Sequence, residues 1–98
     1  MLANRLLVLR FLPNEFPHNR YGFTTSKRLG KAVVRNRVRR RLREGVRSFP
    51  TRAGWDVIIS ARAPAAQADF HELKAAVANL FVRAGIVAEG ASGEEKQP

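Results

Sequence analysis

The chain has 98 residues, with 18 Lys and Arg against 8 Asp and Glu, a formal net charge of +10, and no cysteine. At this size folding hides only about 60 to 65% of the surface an unfolded chain exposes, which leaves one domain with a modest core and no deep pocket for a large substrate. Disulfide frameworks and thiolate metal sites are excluded, and no apolar run approaches the roughly 20 residues of a membrane span; the expectation is a soluble, cytoplasmic protein with an anionic partner.

In chain order, Asn4 to Leu12 is apolar with Arg5 and Arg10 interspersed and is stopped by Pro13, which predicts a strand packing Leu6, Val8 and Phe11 on the core. Asn14 to Asn19, containing Pro17, is a loop. Tyr21 to Ser26 is a second strand, with Tyr21, Phe23 and Thr25 on one face and Gly22, Thr24 and Ser26 on the other. Two neighbouring strands joined by a loop suggest an antiparallel pair. Gly30 breaks the pattern, and Ala32 to Arg47 reads as a helix whose Val34, Val38, Leu42 and Val46 form one apolar stripe, continued by Phe49.

Pro50 to Gly54 is a short connection before Trp55 to Ala61, a β-branched run expected for a largely buried central strand, ended by Pro64. Asp69 and Glu72 make an acidic capping box for a last helix carrying Phe70, Leu73, Val77, Leu80, Phe81 and Ala84, with Gly85 as its C-terminal cap. Residues 1–87 are thus one domain, and 88–98, rich in Gly, Ser, Glu, Lys and Gln, a flexible tail. The order predicts an α+β, two-layer αβ sandwich: a small mixed β-sheet with helices on one face and nothing in the pattern to cover the other.

The charge is concentrated. Ten of the cations, Lys27, Arg28, Lys31, Arg35, Arg37, Arg39, Arg40, Arg41, Arg43 and Arg47, stand against the single acid Glu44 within 21 residues, and this stretch carries +9 of the net +10. A solvated helix face ordinarily mixes both signs to gain i,i+4 pairs, so the repulsion stored here calls for an external anion. On the helical wheel Asn36, Arg40, Arg43 and Arg47 line the side opposite the apolar stripe, flanked by Arg37 and Arg39; Arg35 lies near the stripe and is expected to run its stem along the packed surface. A basic amphipathic helix can also bind anionic lipid, but this apolar stripe lacks Trp and is needed for the core. Nucleic acid suits the arginine forks and Asn36 better. DNA is disfavoured because a helix-turn-helix needs a second helix next in sequence, whereas strands flank this one. Tyr21, Phe23, Trp55 and Phe70 are able to stack on bases, although their apolar patterns place them first in the core.

Side-chain catalysis has little to draw on. His18 and His71 share no metal-ligand spacing, Glu15 sits in a loop, Glu89, Glu94 and Glu95 in the tail, and Asp69 and Glu72 serve a helix cap. Gly22 and Gly30 do not make a phosphate-binding loop with Lys31.

The segment 22–44, GFTTSKRLGKAVVRNRVRRRLRE, with Arg35-Asn36-Arg37 at its centre, closely resembles the signature of the bacterial ribonuclease P protein component. Residues 56–65, DVIISARAPA, look like that family's strand and following turn, and Phe70 to Gly85 like its last helix, so the likeness spans about Asn4 to Ile86. The resemblance implies a subunit of the ribonucleoprotein that removes the 5′ leader from precursor tRNA. In that family the RNA subunit with bound Mg²⁺ performs the hydrolysis, and the protein helps hold the leader and supports metal affinity, which agrees with the absence of a catalytic or metal-ligating constellation in this sequence. Arg35, Asn36, Arg37, Arg40 and Arg43 match the helix facing the RNA subunit, and Lys27, Arg28, Lys31 and Arg62 match basic positions near the leader path. The implied fold is like the second domain of ribosomal protein S5, with a left-handed βαβ crossover that general handedness rules would not suggest.

Two departures stand out. Family members usually carry some two dozen residues before the position of Leu2, including an amphipathic helix that lines the leader cleft, so the resemblance predicts either a start upstream of Met1, the favoured reading, or a chain with only part of the leader site and an exposed sheet face. Arg10 stands where the family often has an aromatic on the sheet face. The competing readings are a non-catalytic, ribosomal-type structural RNA-binding protein and an autonomous nuclease, the latter disfavoured by the shortage of clustered carboxylates.

Overall fold

The computed structural model describes residues 1–87; the expected tail lies outside them. Its organising strand is β4 (Trp55–Ala61), where Val57 and Ile59 are fully buried while Asp56, Ile58 and Ser60 alternate onto the opposite face. β2 (Leu7–Pro13) pairs antiparallel along one side of β4, placing Leu9 opposite Ile59, and β3 (Arg20–Thr24) pairs parallel along the other, placing Phe23 opposite Ile59. A two-residue strand, β1 (Leu2–Ala3), completes the sheet in the order β1-β2-β4-β3.

The expected direct pairing of the first two long strands is therefore not formed. The 14–19 loop instead arches over the beginning of β4: the Asn14 amide donates to the Gly54 carbonyl at 2.7 Å, and Asn19 Oδ1 accepts the Trp55 amide at 2.7 Å. Those bonds hold the ends of β2 and β3 one strand apart. The connection from β3 to β4 runs through α1 (Ala32–Arg47), as two parallel neighbours require.

The first strand also differs in phase and extent. Asn4 Oδ1 accepts from the amides of Leu6 and Leu7 at 3.1 and 2.9 Å, a turn that splits the apolar run into a small β1–β2 hairpin. Leu7, Leu9 and Phe11 consequently face the helices, Leu6 is buried from the turn, and Val8 points to the opposite face. Pro13 closes the strand from within it. The second strand stops at Thr24, two residues earlier than expected, because Ser26 caps a single 3₁₀ turn (Lys27–Leu29) and Gly30, at φ +132°, bends the chain into α1 in a conformation that side chains disfavour.

The helices follow the sequence closely. Val38, Leu42 and Val46 of α1 are buried against Leu73, Val77, Leu80 and Phe81 of α2 (Phe70–Ala84), with Val34 and Phe49 half-buried at the margin. α2 starts on a reciprocal capping box, the Asp69 carboxylate accepting the Glu72 amide at 2.8 Å and the Glu72 carboxylate the Asp69 amide at 3.0 Å, and ends on Gly85 in the left-handed conformation. Both helices lie on one face of the mixed sheet, the two-layer α+β sandwich the sequence predicts.

The other face is uncovered among the described residues. β4 is thus central but buried on one side only: Ile58 is 43% and Leu12 71% exposed there, beside Arg10 and the pair formed by Arg20 and Asp56. Hydrogen bonds from Arg20 and then Asn14 hold the Asp56 carboxyl down at about 2. The favourable interaction is present in full above the ordinary carboxyl range near 3.8 and is lost as pH falls from there toward 2. We expect Asp56→Asn to be less stable than the parent at pH 6 in urea titrations and the difference to close by about pH 2; a gap that persists below that pH would show that the pair is not its source.

Candidate nucleic-acid interface

α1 carries most of the charge, and its environment sorts the arginines that the sequence alone leaves alike. Asn36, Arg40, Arg43 and Arg47 are exposed along one ridge, the predicted face. Arg40 and Arg43 have no hydrogen bond or ion pair among the described residues, and Arg47 lies 3.6 Å from Glu44 across an exposed pair of little energetic weight. Lys31 sits at the helix start, where no side chain caps the first turn and no acidic residue offsets the helix dipole. Arg35 is half-buried, as expected from its position near the stripe.

Three other arginines are engaged within the protein. Arg39 donates to Asn36 Oδ1 at 2.9 Å and to Thr25 Oγ1 at 2.7 Å, tying α1 to the segment after β3 and leaving the Asn36 amide nitrogen free to donate outward. Arg37 donates to the Ala66 carbonyl at 3.3 Å, with its Nε buried and unpartnered, and Arg41 donates to the Ala68 carbonyl at 3.0 Å. The two bonds fasten α1 to the short 3₁₀ segment Ala63–Gln67, which follows Arg62, and to Ala68 at its C-terminal end. This anchoring was not legible in the sequence, where an unbroken run of arginines gives no sign of which ones turn inward.

A second cationic group forms off the helix. Arg28 and Arg62, far apart in sequence, line one cavity of about 340 Å³ together with Ser26 and Pro64, and Lys27 is exposed on the same 3₁₀ turn as Arg28. Arg62 Nη1 also donates to the Asn4 carbonyl at 2.7 Å. The candidate residues therefore fall into two clusters, the ridge of α1 and the Arg28–Arg62 cavity.

Asn19 was missed because Thr51, Arg52 and Trp55, which it ties to Tyr21, are remote in sequence. Its amide nitrogen donates to the Arg52 carbonyl at 2.8 Å and to the Tyr21 hydroxyl at 3.1 Å, which fixes the tyrosine at the margin of the α1 surface. Among the described residues no three His, Asp or Glu side chains come together as a set able to hold a metal ion, and no helix is long and apolar enough to cross a membrane.

The sequence and the fold both have known relatives. The Ribonuclease P family model matches residues 1–85. A ribonuclease P protein component from Roseiflexus castenholzii is 50% identical over 92 residues, covering 91% of this chain and 75% of that protein, and one from Caldanaerobacter subterraneus is 42% identical over 90 residues, covering 90% and 78%. Among solved structures, the RNase P protein of Staphylococcus aureus superposes with a TM-score of 0.79 at 31% identity, covering 89% of this chain and 82% of that one. That of Thermotoga maritima gives 0.74 at 28%, covering 84% and 80%. With the family model spanning nearly the whole described domain and relatives this similar over most of their own length, the chain belongs to the ribonuclease P protein component family.

Proposed function

We propose that this chain is the protein subunit of ribonuclease P: it binds the catalytic RNA subunit through the ridge of α1 and the 5′ leader of precursor tRNA near the Arg28–Arg62 cavity, assisting RNA-catalysed removal of the leader. The observation that carries the reading is the ridge itself, a helix face with arginines at Arg40 and Arg43 that have no partner among the described residues and a first turn without an acid. Such a face is satisfied by phosphates, and guanidinium forks bind them bidentately. Asn36 adds a donor for a base or ribose. No metal-ligand set converges among the described residues, so in this reading Mg²⁺ is held by the RNA. The chain's own part is to bind, orient and neutralise charge.

The test is cleavage of a precursor tRNA by a bacterial ribonuclease P RNA at low Mg²⁺, with and without the 98-residue chain. Faster cleavage at the mature 5′ end is the expected result. Tight binding to the RNA subunit with no stimulation would overturn the leader role, and equal affinity for ribosomal and ribonuclease P RNA would favour a ribosomal-type structural protein.

A further inference from the structure

We infer that the cavity between the free edge of β3 and the C-terminal half of α1 is a subsite for one unpaired nucleotide of an RNA strand, its base on the Tyr21 and Phe23 rings and its phosphate between Arg43 and Arg47. The inference rests on the reading of α1 as an RNA-binding helix and adds a place where a base, and not only the backbone, is held.

The cavity measures about 510 Å³, within the range of small-ligand sites. Tyr21 and Phe23 lie on the helix-covered face of the sheet, packed against the margin of the core, but at its edge strand, where both residues stay partly exposed. The rings run nearly parallel, 16° apart with centroids 6.5 Å from each other, and both line the floor of the cavity. The tyrosine is held from its far end, its hydroxyl lying 3.0 Å from Thr51 Oγ1 and accepting from Asn19. A floor fixed by hydrogen bonds loses little conformational freedom when a ring stacks on it. Arg43 and Arg47 of the ridge line the same cavity, so one wall is cationic and the floor aromatic. This is the pairing by which single-stranded nucleic acid is held without base-specific hydrogen bonds.

Duplex RNA does not fit the arrangement, because its bases are stacked on one another and offer no free face. A free phosphate or an anionic lipid would use the arginines and leave the floor unused. The occupant the chemistry selects is therefore a base splayed out of a single strand or bulge, attached to a phosphate.

The subsite is tested on the full chain alone by amide NMR titration with adenosine 5′-monophosphate and, in parallel, ribose 5-phosphate. Saturable shifts at Tyr21, Phe23 and Thr51 with the nucleotide, and at least about tenfold weaker binding of the sugar phosphate, are expected. Phe23→Leu, which keeps an apolar side chain against the core, should weaken the nucleotide about tenfold while leaving the sugar phosphate unchanged. Equal shifts by the two probes, shifts confined to the helix arginines, or none at all would each overturn the subsite, and the two-probe comparison in the parent protein stands even if the variant misfolds. Because no tRNA cleavage is involved, failure here is distinguishable from failure of the ribonuclease P reading: a chain that stimulates cleavage but does not bind the nucleotide loses only the subsite.

Discussion

RNA affinity is expected to fall roughly a thousandfold between 50 and 200 mM salt, if α1 and its neighbours engage about six phosphates. Each phosphate contact releases a condensed counterion, so the logarithmic salt slope counts contacts directly. Arg40→Ala and Arg43→Ala should each weaken binding to the ribonuclease P RNA and flatten that slope by about one, and the double variant by about two. Arg41→Ala, whose guanidinium is committed to the Ala68 carbonyl, should leave the slope unchanged and lower stability instead. Filter binding across a salt series reads all of these, and an unaltered slope in the Arg40 and Arg43 variants would remove the ridge from the interface.

Leu42→Ala should cost the fold about 2 to 5 kcal/mol. Leu42 is completely buried at the middle of the α1 stripe, between the sheet and α2, and truncation leaves a cavity that the packed neighbours only partly fill. For a domain of this size that is a large share of the total stability. Urea unfolding should show a lower midpoint at unchanged slope, while Val33→Ala, 70% exposed and turned away from the stripe, should change stability by less than about 0.5 kcal/mol. A loss at Leu42 below 1 kcal/mol would mean that α1 is not anchored through this residue. At saturating RNA the folded fraction of Leu42→Ala should keep the parental salt slope, which separates packing from contact.

The elements whose signals are local were legible in the sequence, and those whose partners are remote were not. Both long helices and β4 end where the residues indicate: the apolar periodicity of Val34, Val38, Leu42 and Val46 defines α1, the Asp69–Glu72 box and Gly85 bracket α2, and the β-branched run defines β4. The phase of β2 was not, because Leu6 to Leu9 is apolar at every position and alternation has nothing to mark. Nor was the sheet order, since sequence neighbours usually pair and the insertion of β4 between β2 and β3 depends on contacts from Asn14 and Asn19 to residues some 36 to 40 positions away. At the candidate interface, sign and helical angle located the exposed ridge. The inward turn of Arg37 and Arg41 depended on the Ala66 and Ala68 carbonyls, which only the folded chain brings near.

The central position of β4 has a consequence for how the chain comes off the ribosome. Among the described residues every long strand pairing involves β4, so β2 and β3 have no long partner until residues 55–61 have been made. The arginine-rich helix is therefore synthesised before the strand that seats it, and the core closes only once residues 55–61 and then α2 have emerged. The basic surface is presented in its folded form only once β4 has joined the two long strands.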